Sequence, residues 1–217
     1  MIDNYPDTLG AIYIHVNDPP WSTPWGNLRD SLYGATWVPN NVQDGLYEGW
    51  PINTYESKFL ARQSEPTDVT IDMAVFGAAD TWQVSATVCI EPSGNGKIMD
   101  VWMAQVLDNF GPAWYERNIA QDGLFDGVEI SLAAGECATV TEPFVLNADS
   151  MASPENVKFF AWAQDTVWVW DPNFAPGIGG ANAAEIYQGS KMLPPFEGIF
   201  RDGFELGDTL AWNISVP

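Results

Sequence analysis

The chain has 217 residues, 46% of them hydrophobic and 17% charged, and its 29 acids against 8 bases leave a formal net charge of −21. That balance excludes a phosphate-tracking nucleic-acid groove, which needs clustered Lys and Arg, and disfavours anionic membrane surfaces. No apolar run approaches the roughly 18 residues of a membrane-spanning helix, so no membrane insertion is expected, and a single His, His15, excludes multi-histidine metal sites.

In chain order, Ala11-Ile12-Tyr13-Ile14-His15-Val16 is a nearly continuous apolar run that predicts a buried strand, stopped by Pro19-Pro20. Trp25 to Tyr33 predicts two helical turns ended by Gly34, and Val38-Pro39 opens a second extended piece. Residues 54–63 (TYESKFLARQ) predict a short helix with Tyr55, Phe59 and Leu60 on one face and Thr54 as its N-cap. From Thr67 the period becomes two: Val69, Ile71, Met73 and Val75, then Trp82, Val84, Ala86, Val88 and Ile90, alternate with polar or small residues. Residues 98–107, 126–132 and 137–146 and the run 157–169 add further strands, separated by SGNG, NFGP, QDG and AAGE. Strands so spaced predict an antiparallel sandwich of about seven strands, immunoglobulin- or fibronectin-like. The expected divisions are residues 1–66 (α/β), 67–192 (sandwich) and 193–217 (tail).

Cys89 and Cys137 both fall on the polar side of their strands. Opposed Cβ atoms on neighbouring strands lie within about 5 Å. A cross-strand disulfide is the leading reading, beside two free thiols or a redox pair. Such a bridge closes a loop of about 50 residues and contributes on the order of 3–4 kcal/mol. An even cysteine pair in an acidic, Lys-poor chain points to an oxidising compartment. The start Met1-Ile2-Asp3-Asn4-Tyr5 has neither a basic n-region nor an apolar h-region, so processing or trimming before Met1 is the expectation.

Eleven tryptophans exceed what a core of this size requires. Trp82, Trp102 and Trp162 read as core. Trp168, Trp170 and Trp114, or Trp21, Trp25 and Trp50, are candidates for a ligand platform that stacks sugars. Trp168 and Trp170 are the best pair, because residues two apart on a strand share a face. Asp and Asn in turns (Asp122 and Asp126, Asn147 and Asp149, Asp171 and Asn173, Asp202 and Asp208) are weak calcium candidates beside their ordinary role as solvated turn residues. No Gly-x-Ser-x-Gly elbow or P-loop occurs, and acids are too numerous for spacing to single out a glycosidase pair. Nothing in the motifs speaks for catalysis, and no cofactor is expected.

The order LGAIYIHVN, NLRDSLYG, WVPNNVQDG and NTYESKF resembles the second half of a thioredoxin-like domain, as in exported bacterial proteins where that fold precedes a β-sandwich. The resemblance continues through VKFFAWAQ and AEIYQGSKM, and it implies a cis-proline at Pro39. The family's redox Cys-x-x-Cys should lie just upstream of Ile12, where this chain has none. The tail DGFELGDTLAW is similar to DGFESGDTSAW, a short element of exported bacterial proteins.

These readings imply a bacterial secreted or cell-surface protein, non-enzymatic, with a structural or interaction role. The partner is itself, another surface protein or a polysaccharide. A carbohydrate-binding module and an inactive remnant of a thiol–disulfide oxidoreductase are the alternatives. For self-assembly, the Ile12–Val16 strand, with Ile12 and Ile14, is expected to expose an open edge. The C-terminal Leu210, Trp212, Ile214 and Val216 would add to it.

Overall fold

The computed structural model describes residues 4–5, 10–16, 21–34, 42–47, 55–110, 117–175 and 179–194. In chain order its elements are α1 (Pro24–Tyr33), β1 (Val42–Gln43), β2 (Leu46–Tyr47), α2 (Tyr55–Gln63), β3 (Val69–Ala78), β4 (Thr81–Ile90) and β5 (Lys97–Leu107). β6 (Ile119–Gly123), β7 (Val128–Leu132), β8 (Cys137–Val145), the one-turn α3 (Ala148–Ala152), β9 (Val157–Asp165), β10 (Val169–Ala175), β11 (Gly179–Ala183) and β12 (Ile186–Met192) follow. The chain is mainly β, with antiparallel sheets.

A small sheet, β3-β4-β8, faces a five-stranded sheet ordered β12-β9-β5-β6, in which β7 also pairs with β5. The alternation along β4 drives this packing. Trp82, Val84, Ala86, Val88 and Ile90 are buried between the sheets, whereas Gln83, Ser85, Thr87 and Cys89 point away. In the β4–β8 register Ser85 opposes Thr141, Thr87 opposes Thr139 and Cys89 opposes Cys137. The hydroxyl pairs lie 2.7 and 2.8 Å apart. Cys89 and Cys137 form a disulfide with their Cα atoms 4.1 Å apart. The small sheet therefore turns a row of cross-strand pairs to solvent and an aliphatic face to the core.

The central strands of the five-stranded sheet, β5 from Val101 onward and β9 from Phe159 to Gln164, are buried on both sides. Met99, Val101, Met103, Phe159 and Ala161 face the small sheet. Trp102, Ala104, Val106, Phe160 and Trp162 face the other way and form a second core with Trp25 of α1, flanked by Ile12, Ile14 and Leu32. Helix α1 forms where capping allows it. Thr23 Oγ1 accepts from Gly26 N–H at 3.0 Å, Pro24 opens the first turn, and Gly34 at φ 64° closes the last. Trp25, 1% exposed, donates its indole N–H to the Leu124 carbonyl at 2.8 Å. A Cβ at residue 123 would lie 2.3 Å from that indole, so the position must be Gly.

Several expectations are corrected. Residues 11–16 form no named strand; Tyr13 alone makes a parallel bridge to Ile119, exchanging bonds with Asn118 O and Ala120 N at 3.0 and 2.9 Å. Ile12 and Ile14 are packed on the second core, so their apolar faces are covered. The outer face of β5 and β9 supplies Ala104, Val106 and Phe160 as the bed they need. Trp25 is a core residue rather than a platform. The run 157–169 splits after Asp165, and β6, β11 and β12 join the roughly seven strands expected. Helix α2 buries no residue fully. Leu60 is exposed, Phe59 packs on the Tyr5 ring at 5.0 Å, and Arg62 ties the helix to Asp44 and Glu185 at 3.0 Å. Pro39, Trp50 and Thr54 lie outside the described residues, as do Leu210, Trp212, Ile214 and Val216.

Candidate functional site

After β9 the chain turns at Asp165, whose Oδ1 accepts from Val167 N–H at 2.9 Å. It then enters the β10–β11 hairpin, where Trp170 opposes Asn182 and Asp171 opposes Ala181 before a bulge. Residue 180 must be Gly, because a Cβ there would lie 2.5 Å from the Asp171 carbonyl and 2.6 Å from the Trp170 ring. The indole therefore lies against bare backbone at residue 180. Trp170 is 56% exposed, with Val167 at 62% and Val169 at 59% beside it.

The β1–β2 turn closes the other side. Ala184 N–H donates to the Gly45 carbonyl at 3.2 Å and Ile186 N–H to the Asp44 carbonyl at 2.7 Å. Gly45, at φ 72°, comes so near Ala184 O that a Cβ would sit 1.8 Å from it. The result is an open cleft of about 460 Å³. Leu46, Val167, Val169 and Trp170 give it an apolar floor, and Asp165, Asp171 and Glu185 add carboxylates. Asp165 Oδ2 accepts from the Tyr187 hydroxyl at 2.9 Å, and burial together with that carboxylate pushes the Tyr187 pKa up. Glu185 Oε1 accepts from Arg62 at 3.0 Å. The cleft thus offers stacking area, aliphatic surface and negative charge, the means of holding a ligand.

Trp168 does different work. β10 begins after it, and its ring packs edge-on against Tyr33 at 5.1 Å. It helps enclose Arg29, which is only 3% exposed. The guanidinium carbon lies 4.4 Å from the Trp102 ring centre, 5.3 Å from those of Trp162 and Tyr33, and 5.8 Å from that of Trp168. Its Nη2 donates to the Tyr33 hydroxyl and to Gln164 Oε1, each at 3.1 Å, while Nη1 and the neighbouring Trp102 Nε1 have no hydrogen-bond acceptor among the described residues. Burial lowers the Arg29 pKa. Of the proposed platform residues, Trp170 lines the cleft, Trp168 belongs to the Arg29 cage, and Trp114 lies outside the described residues. Trp21 packs on Phe110 at 5.0 Å.

Two of the turn candidates have structural roles: Asp122 Oδ1 accepts from Gly123 N–H, and Asn147 caps α3 by accepting from Ser150 N–H. Among the described residues no group of three or more His, Cys, Asp or Glu is placed to hold a metal ion. Asp202 and Asp208 lie outside them. No described helix is long and apolar enough to cross a membrane. Sequence reading singled out Trp170 but missed Leu46, Asp165, Val167 and Glu185, which tertiary contacts bring together from distant positions. Arg29 carried no signal beyond being a basic residue on a predicted helix.

The chain matches no protein-family model and no curated protein. Among solved structures it is similar to HBP35 of Porphyromonas gingivalis, with 13% identity over 85% of this chain and a TM-score of 0.66. The likeness shows a shared fold. The match takes in 63% of the HBP35 structure's own length. A domain of the outer membrane lipoprotein Omp28 from the same organism matches 60% of this chain at 10% identity, covering 90% of that domain, with a TM-score of 0.39. A β-glucosidase from Kluyveromyces marxianus matches 58% of this chain and 14% of its own, at 11% identity and a TM-score of 0.27. The last two are too loose to carry an argument.

Proposed function

We propose that this chain is a non-enzymatic interaction protein of the bacterial surface or extracellular space, and that the cleft beneath the β10–β11 hairpin is where it holds its ligand. The observation that carries this reading is the contiguous exposure of Val167, Val169 and Trp170 where the chain enters the hairpin. Soluble chains rarely keep such apolar surface without use. The Cys89–Cys137 bond supports export, since an accessible disulfide persists in oxidising compartments. Intrinsic fluorescence and calorimetry with immobilised and soluble candidate ligands test the reading. Binding should be lost on Trp170→Ala with the melting temperature unchanged. A ligand bound equally by that variant moves the site elsewhere.

A polysaccharide partner is the second reading. Trp170, more than half exposed beside Gly180, gives indole surface on which a sugar ring can stack, and Asp171 can accept from hydroxyls. An inactive remnant of a thiol–disulfide oxidoreductase is the third; it draws on the α1, β1–β2, α2 order of residues 1–66 alone.

A further inference from the structure

We infer that the cleft takes a cationic amphipathic segment of a partner protein, one that alternates Lys or Arg with aliphatic residues; this rests on the cleft being the ligand site. Three features of the same surface meet that chemistry. Leu46, Val167 and Val169 form an aliphatic strip on which the stems of long basic side chains can lie. Trp170, more than half exposed, offers an indole, the best ring for a cation. Asp165, Asp171 and Glu185 surround the strip, and Glu185 already holds a cation, Arg62, in an ion pair.

Charge decides among the possible occupants. A second copy brings another −21, and the chain's own tail carries Asp202, Glu205 and Asp208, so both are repelled by the acids of the cleft. A neutral glycan can donate hydroxyl hydrogen bonds to the carboxylates but brings no charge for them to attract. A basic partner gains on every count, and the field of a −21 protein steers it inward. Isolated surface charge does not give specificity, but charge around an apolar anchor does, because the apolar contacts fix the register.

The test titrates the full chain, followed by calorimetry and tryptophan emission, with three probes. They are a dodecapeptide alternating Lys and Leu, its Glu/Leu counterpart, and a neutral β-glucan hexasaccharide. The Lys/Leu peptide should bind at least about tenfold more tightly than the Glu/Leu peptide and weaken steeply with salt. Trp170→Ala should cost about tenfold, and Asp171→Asn with Glu185→Gln about five- to tenfold. Asp72→Asn with Glu91→Gln makes the same charge change on exposed positions far from the cleft and should cost less than about twofold. Equal loss from both double variants, or no loss from Trp170→Ala, overturns the inference, because net charge alone then drives binding. Trp170-dependent binding of the hexasaccharide without binding of the Lys/Leu peptide also overturns it, while leaving the cleft as the ligand site. Absence of Trp170-dependent binding by any probe counts against both.

Discussion

The inner face of the five-stranded sheet meets a second sheet, whereas its outer face meets a helix and a short extended segment, and the side chains differ accordingly. Inside, Val, Ile, Met and Ala from β3, β4, β5 and β9 interdigitate between two broad surfaces, with Phe144 and Phe159 in tilted contact at 5.3 Å. Outside, one ten-residue helix covers much less area. The gap beneath it is filled by the largest rings available, Trp25, Trp102 and Trp162, and by a guanidinium resting among their faces. Sheet-on-sheet packing tolerates small residues because flat layers leave little space. A single helix on a sheet demands bulk, and aromatic bulk admits a cation where aliphatic bulk would not.

The sharpest way to break this comparison is to truncate one residue on each side. Phe159→Ala on the inner face should cost about 3–5 kcal/mol, measured by urea unfolding. Removing the disulfide with Cys89→Ser and Cys137→Ser should cost about 3–4 kcal/mol and lower the unfolding midpoint without changing the calorimetric response of the cleft. On the outer face Arg29→Ala should cost about 2–3 kcal/mol, whereas Arg29→Met, which keeps bulk and removes a buried charge whose Nη1 has no acceptor among the described residues, should stay within about 1 kcal/mol of the parent. If Arg29→Met is as damaging as Arg29→Ala, the cation itself and not the bulk holds the outer layer.

The smallest effect concerns acid. Burial tends to raise the Asp108 pKa, but hydrogen bonds from Arg117 and Lys158 outweigh it and hold the carboxyl at about 2. A folded pKa below the unfolded value gives stability that is present above about pH 4 and lost as pH falls toward 2. Because Arg117 and Lys158 remain 30% and 21% exposed, screening limits the loss to about 1–2 kcal/mol. Thermal melts of the parent and Asp108→Asn between pH 2 and 6 should converge at the acid end. Parallel curves across that range refute the assignment.

How far the sequence revealed this depends on solvent. β3, β4 and β8 have one wet face, so their period of two is written in the residues, and the disulfide face could be read from it. β5 and β9 are dry on both faces and show only continuous apolar runs, which fix their existence but not which side each residue takes. β6 (IAQDG) is short and polar, and β12 (IYQGSKM) carries a Gly, so neither shows a period. Residues 11–16 look like a strand because they cover the second core, a task that needs the same apolar run. At the site, the Trp-Val-Trp sequence marked the hairpin. It could not show that Trp168 turns toward Tyr33, or that Leu46 and Glu185 complete the cleft, because those contacts join segments far apart in the chain.

The bond between Cys89 and Cys137 also decides how the molecule carries load. The 48-residue separation it spans contains β5, β6 and β7, the middle of the large sheet. Tension applied through the two ends of the chain passes from β4 to β8 across the sulfur atoms and bypasses that whole stretch. At about 3.3–3.6 Å per residue, the shortcut withholds on the order of 160 Å from the extended length. A chain pulled from its two ends would keep β5, β6 and β7 out of the line of tension until the covalent path itself was cut.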